Sequence, residues 1–293
     1  MKPLTALLAA TDFSATARRA EARAARLAQS HGARLILLHC LPGLEFAQLR
    51  AWLPPDGAAE ARLRQQAQDA LQARASALAQ DFGIAVEPRL TEGQPHREIE
   101  RASGESGVEL AVVGAAGEHP LREFFLGSTP ERLVRASPVP VLVVRREAHA
   151  PYARVLAALD LSRHSPAVLD IARRVAPVDS LTLGHAFEAP FEGKLRYAGV
   201  SEEDIQRHVQ VERAHALADL NGLVAGWPER PDIRIEHGMP HAVLARLIAE
   251  TAAELVVAGK HGASEAVDLL LGSMTKHLLR EAGCDVLVVP PVA

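Results

Sequence analysis

Two segments of the chain, GAAGEHPLREFFLGST from residue 114 and GKHGASEAVDLLLGSM from residue 259, share the form G-x-x-G, nine residues, G-S, and start 145 residues apart. The same spacing links Gly93 to Gly238, His96 to His241, Gly127 to Gly272 and Ser128 to Ser273. Asp12 and Asp160 lie 148 apart, so a short insertion separates the early parts. Solenoid repeats run at about 20–50 residues, so a unit this long is a whole domain written twice. A chain of 293 residues with 48% hydrophobic content can build two ordinary cores. We therefore expect a domain over 1–147, a linker at about 148–152 within REAHAPY (146–152), and a second domain over 153–293.

Each half alternates apolar runs with helical patterns. LTALLAAT (4–11) precedes Asp12 and Ser14, after which Ala17, Ala20, Ala24 and Leu27 recur at helical steps: a strand, a cap and an amphipathic helix. ARLILLHC (33–40), a break at Pro42 and Gly43, a helical stretch over 57–80, IAVEPRL (84–90), Pro95 in a first helical turn, VELAVVG (108–114) and VPVLVV (139–144) complete the first half. The second repeats the order with ARVLAALD (153–160), a helix opened by Ser165 and Pro166, SLTLGHA (180–186), a helix over about 202–224, DIRIEHG (232–238), AELVVAG (253–259) and DVLVVP (285–290). Runs such as LVV and VLVV lack polar alternation, which predicts strands buried on both faces of a parallel sheet. The expected architecture is a doubly wound α/β fold in each half.

Several classes are excluded early. Aromatic residues are only 4%, so Ala, Val and Leu must fill cores that bring helices close to the sheet. A net charge of -4 gives no basic surface for nucleic acid. Cys40 and Cys284 have no partner at metal-ligand spacing and sit in apolar runs, as in a reduced, cytoplasmic protein; Cys40 reads as an apolar filler rather than a reactive thiol. The N-terminus reads as a first strand rather than a signal peptide, and no apolar run reaches the ~18–20 residues that span a bilayer. His237 and His241 in HGMPH are four apart, but Pro240 at a strand-to-helix junction spoils a shared face, and no metal site is expected. No G-x-S-x-G, H-E-x-x-H or Walker GK[ST] is present, so a binding module is a better class than an enzyme.

Gly114 and Gly259 end the fourth apolar run of their halves, and in an open parallel sheet ligands bind beyond the carboxyl ends of the strands. Glycines there let backbone N–H groups approach a ligand, and an array of such groups suits an anion. Ser128 opens STPE, a capping-box spacing with Glu131, so it is expected to be a helix N-cap; the same helix end offers N–H groups and a positive dipole to phosphate. Capping and phosphate binding compete for the same groups.

The spacing G-x-x-G-x9-G-[S/T] between a strand and a PVLVV-like strand resembles the universal stress protein family, and the duplication resembles its tandem members. The likeness extends to the Asp ending strand one (Asp12 in TDFS, Asp160 in LDLS), the LLHC and LGHA second strands and the Gly-x-Pro after strand three. It implies two tandem five-stranded parallel sheets, Rossmann-like and of the adenine nucleotide alpha hydrolase type, with strand order 3-2-1-4-5 in each. It also implies an adenine nucleotide as ligand, ATP with or without magnesium. Carried over by position, the contacts are Asp12, Cys40, Gly114, Gly117, Gly127 and Ser128 in the first half, with Thr129 next in line. In the second they are Asp160, Ala186, Gly259, Gly262, Gly272, Ser273 and Thr275, with Met274 between. The resemblance further implies pairing of fifth strands, here between the two halves, and leaves a homodimer open.

The halves differ where the ligand is expected. Ala115 and Ala116 fill the first x-x pair, Lys260 and His261 the second, so only the second can set a cation beside phosphate. Pro130 removes an N–H and a hydroxyl that Thr275 retains. The second half is thus the expected ATP site of a cytoplasmic stress sensor or regulator. A slow ATPase or other nucleotide-handling enzyme on the same fold, and an interaction protein that has lost nucleotide, are the alternatives.

Overall fold

The structure, a computed structural model, describes residues 2–42, 57–116, 127–261 and 271–291. It divides into two compact units, Met1–Pro151 and Tyr152–Ala293. The first runs β1 (Ala6–Thr11), α1 (Ala15–His31), β2 (Arg34–Pro42), α2 (Ala58–Phe82), β3 (Val86–Gly93), α3 (Pro95–Glu105), β4 (Leu110–Gly114), α4 (Ser128–Ala136) and β5 (Val141–Val144). Its strands are all parallel and ordered β3-β2-β1-β4-β5. The second runs β6 (Val155–Ala158), α5 (Ser165–Val175), β7 (Leu181–Phe187), α6 (Glu192–Tyr197), α7 (Glu202–Leu223), β8 (Asp232–His237), α8 (Pro240–Glu250), β9 (Leu255–Gly259), α9 (Ser273–Glu281) and β10 (Asp285–Val289), with a 3-10 turn at Val178–Ser180. Its order, β8-β7-β6-β9-β10, is the same 3-2-1-4-5 pattern.

The unalternating runs are strands closed on both faces: every residue of β5 and of β10 is buried. Strand boundaries follow ladder pairing more closely than the ends of the apolar runs, as where β3 pairs with β2 through the polar Thr91 and Glu92. Leu4 is buried although β1 starts at Ala6, and β3 starts at Val86 and extends to Gly93. Gly93 and Gly238 close the third strands with φ of 149° and 138°, a region side chains avoid, and Pro95 and Pro240 then start α3 and α8 with their fixed φ. α1 is capped as expected by Ser14, whose Oγ accepts from Ala17 N at 3.1 Å. After β5 the chain is held to the first unit by α1 arginines: Arg19, Arg23 and Arg26 donate to the carbonyls of Arg145, Ala148 and Ala150, Arg26 pairing with Ala148 and Arg23 with Ala150. Among the described residues no helix is long and apolar enough to cross a membrane.

Candidate functional site

In each unit the strand order reverses between the first strand and the fourth, so a crevice opens at their carboxyl ends. The turn that leaves the first strand is built alike in both. Asp12 Oδ1 accepts from Ser14 N and Asp160 Oδ1 from Ser162 N, each at 3.0 Å. The residue between, Phe13 or Leu161, sits at φ 63° or 57°, a left-handed conformation that costs a side chain about 1–2 kcal/mol. Both turns take that conformation at the same place, and in the second unit Asp160 lines the crevice.

A histidine on the neighbouring strand steadies this turn, and sequence reasoning passed over it. His39 Nδ1 lies 2.8 Å from Thr11 O, and His185 Nδ1 lies 2.8 Å from Leu159 O. A carbonyl only accepts, so Nδ1 carries the hydrogen in each ring. The signal was present in LLHC and LGHA, where the histidines are 146 apart, but a histidine inside an apolar run reads as core.

In the second unit the crevice holds a cavity of about 260 Å³. Small-molecule sites run to roughly 300–1000 Å³, so this suits a compact organic ligand with one end open. Of the residues expected from sequence, Asp160, Ala186, Gly259, His261, Gly272, Ser273, Met274 and Thr275 all line it. His164 joins them from the start of α5, and Val168, Leu159 and Leu244 supply an apolar wall. Gly117 and Gly262 lie outside the described residues.

Two expectations are corrected. Lys260 is buried and does not line the cavity. Its N–H donates to Val289 O at 2.7 Å just past the end of β9, where the chain bends and Lys260 is buried. Ser128 is not the N-cap of α4: Gly127 holds that position, no side chain caps it, and Glu131 pairs with Arg135 at 2.6 Å instead of reaching back. The cause is the bond from Gly127 N to Ala115 O at 2.8 Å, which draws the turn one residue upstream. Ser273 stands likewise at the first helical position of α9, with Gly272 as N-cap and Gly272 N bonded to Lys260 O at 3.0 Å. Neither serine is consumed by capping.

Thr275 retains its hydroxyl but turns it inward, donating to Gly259 O at 2.8 Å. It ties the glycine turn to α9 and leaves the first-turn amides of Ser273, Met274 and Thr275, which have no intrahelical acceptor, to face outward. In the first unit Pro130 stands in Thr275's place, so α4 offers only the amides of Ser128 and Thr129. Thr16 replaces that tie from below: its Oγ1 donates to Ala116 O at 2.6 Å, packing the glycine turn on α1. Cys40 is buried at the end of β2, and burial pushes its thiol above the ordinary range, as fits a filler.

The electrostatics separate the halves further. Helix first turns usually carry acids that neutralise the positive dipole end. α5, α8 and α9, which begin at the cavity, have none in their first turns. In the first unit α3 carries Glu98 and α4 carries Glu131 there. Asp160 is the acid among the described residues lining the second cavity, and its Oδ1 is taken up by Ser162 N and by Ser165 Oγ at 3.2 Å. α1, the counterpart of α5, likewise has no first-turn acid, so the difference between the units lies at α3 and α4 against α8 and α9.

The sequence model of the universal stress protein family matches residues 4–145 and again 151–290. The chain belongs to the universal stress protein family. A universal stress protein of Mycobacterium tuberculosis is 28% identical over 223 residues, 72% of this chain and 71% of its own length. One from Methanocaldococcus jannaschii is 37% identical over 68 residues, and that match spans 23% of this chain and 42% of the relative. The crystal structure of a universal stress protein from Archaeoglobus fulgidus superposes with a TM-score of 0.70 over 97% of this chain and 98% of that one at 20% identity, which shows the shared fold. As a universal stress protein of two family units, the chain has two crevices of common descent, with unequal ligand-facing chemistry.

Proposed function

We propose that this universal stress protein binds an adenine nucleotide, ATP foremost, in the crevice of its second unit, and acts as a cytoplasmic stress sensor or regulator through that occupancy. The observation that carries the reading is the convergence of Asp160, Gly259 and the uncompensated N-terminus of α9 on one cavity. The apolar wall of Leu159, Val168, Ala186 and Leu244 accepts a base. Asp160 keeps one carboxylate oxygen for a ribose hydroxyl, and the amides of Ser273, Met274 and Thr275 receive phosphate. Gly259 has its part in a close turn: a Cβ there would stand 3.2 Å from His261 O. Among the described residues no three His, Cys, Asp or Glu side chains converge as a metal cage. Magnesium would therefore travel with the phosphates, held by their oxygens and water. The first crevice is a weaker site for the same ligand.

The test is identification of nucleotide released by heating the purified protein. Adenine nucleotide in stoichiometric amount supports the reading. A supernatant free of nucleotide, from protein that also fails to take up added ATP, overturns it in favour of an interaction protein. Steady phosphate release that persists through gel filtration and is lost in Gly272→Val would move the chain to the slow-ATPase class.

A further inference from the structure

Building on the nucleotide reading, and resting on it, we propose that Ser165 is a positioning residue of the second crevice. Its buried hydroxyl fixes the Asp160 carboxylate so that the other oxygen meets the ribose, and the site thereby distinguishes a ribonucleotide from an analogue without ribose hydroxyls. Asp160 is held through one oxygen: Oδ1 accepts from Ser162 N at 3.0 Å and from Ser165 Oγ at 3.2 Å. Ser165 is 1% exposed, whereas Asp160 lines the cavity. The last torsion of an aspartate has a broad well, so a carboxylate held by a single hydrogen bond swings about that contact. A second donor, from the start of α5, fixes its plane. Oδ2 is left with no donor among the described residues and is the oxygen for a ligand hydroxyl.

The sequence dictates where that hydroxyl falls. By the 148-residue offset that pairs Asp12 with Asp160, Ser165 corresponds to Ala17 and Pro166 to Arg18. In α1, which begins at Ala15, Arg18 N donates to Ser14 O at 3.0 Å and closes the first turn. Proline has no N–H for that bond and is tolerated in a first turn. α5 accordingly begins at Ser165 with Pro166 next, two residues later than α1 begins by the same offset. Ser162 therefore does not cap α5 as Ser14 caps α1: its Oγ accepts from His164 N at 3.3 Å, and Ser165 N donates to Ser162 O at 3.0 Å. This extra turn brings the Ser165 hydroxyl to Asp160.

The first unit lacks the device. Ala17 has no hydroxyl, and Ser14 Oγ is occupied by Ala17 N at 3.1 Å and by Thr16 Oγ1 at 2.9 Å. Among the described residues Asp12 keeps the bond from Ser14 N alone. The two aspartates thus hold the same place in their turns, and the second is restrained from two sides.

The experiment is calorimetric titration of ATP, and of dideoxy-ATP that lacks both ribose hydroxyls, into the full chain and into Ser165→Ala, Asp160→Ala and the double variant. We expect wild type to prefer ATP by about tenfold or more, since hydrogen bonds to a carboxylate are lost with the hydroxyls. Ser165→Ala should cut that preference about threefold to tenfold, while dideoxy-ATP binds it as it binds wild type. In the Asp160→Ala background the serine substitution should change neither affinity, because the two residues act as one unit. The preference is a ratio read within one preparation, so a partly folded variant does not alter it. Equal weakening of both ligands in Ser165→Ala, an unchanged preference there, or a serine effect that persists without Asp160 overturns the positioning role and leaves nucleotide binding intact. A wild type that binds the two ligands equally does the same. Failure of ATP to bind wild type overturns both.

Discussion

Gly114 is under a steric constraint that Gly127, in the same motif, does not share, and the difference has a measurable size. A Cβ at Gly114 would lie 3.0 Å from both C and O of Thr16 and 3.3 Å from Ala17 N, all backbone atoms. Ordinary contact begins near 3.4 Å, so about 0.4 Å must be found. α1 cannot readily supply it. Its first turn is locked by the Ser14 cap, by Arg18 N to Ser14 O at 3.0 Å, and by Thr16 Oγ1 to Ala116 O at 2.6 Å. Overpacking of this kind costs about 1–3 kcal/mol. Alanine returns about 0.4–1 kcal/mol by restricting the unfolded chain, so Gly114→Ala should lose about 1–2 kcal/mol net. At about 2–4 °C per kcal/mol for a unit this size, the melting midpoint of the first unit drops by about 2–8 °C. At Gly127 the nearest atoms stand 3.5–3.6 Å from the added carbon, and φ is −65°, so Gly127→Ala should hold stability or gain slightly. Differential scanning calorimetry of the full chain reads both. A Gly114→Ala chain melting at or above wild type would refute the steric argument, as would an equal loss in Gly127→Ala.

Other substitutions test the local readings. Ser14→Ala should cost about 1 kcal/mol by removing a true N-cap, while Ser128→Ala, whose hydroxyl caps nothing, should stay within about 0.5 kcal/mol in urea unfolding. Tyr152→Phe removes the 2.6 Å hydrogen bond to the fully buried Asp285 and should destabilise the second unit by about 1–3 kcal/mol in the same assay. Burial keeps the Cys40 thiol protonated, so mass spectrometry after iodoacetamide treatment at pH 8 should find it alkylated far more slowly in native than in urea-unfolded protein. Equal rates would mean that Cys40 is open to solvent.

The fold was legible because repetition and hydrophobic pattern agree. The 145-residue echo separates two units, and runs such as VLVV admit only a strand closed on both faces. What local pattern does not carry is direction. STPE matches a capping box, yet the bond from Gly127 N to Ala115 O, made across the glycine turn, decides where α4 begins. Lys260 and His261 look equivalent in G-K-H-G, but in the bend after β9 the lysine is buried while the histidine lines the cavity. His185 and His164 act through geometry between distant elements, and α6 is too short and exposed for its period to register. The candidate site was thus legible as a location and as a glycine framework, and less so in the side chains that set its charge.

The central claim is that the second crevice, with its bare helix ends, is the principal nucleotide site. ATP titration into wild type, Gly272→Val and Gly127→Val tests it most directly. Binding lost in Gly272→Val and kept in Gly127→Val is the predicted result; binding kept in Gly272→Val and lost in Gly127→Val would contradict it.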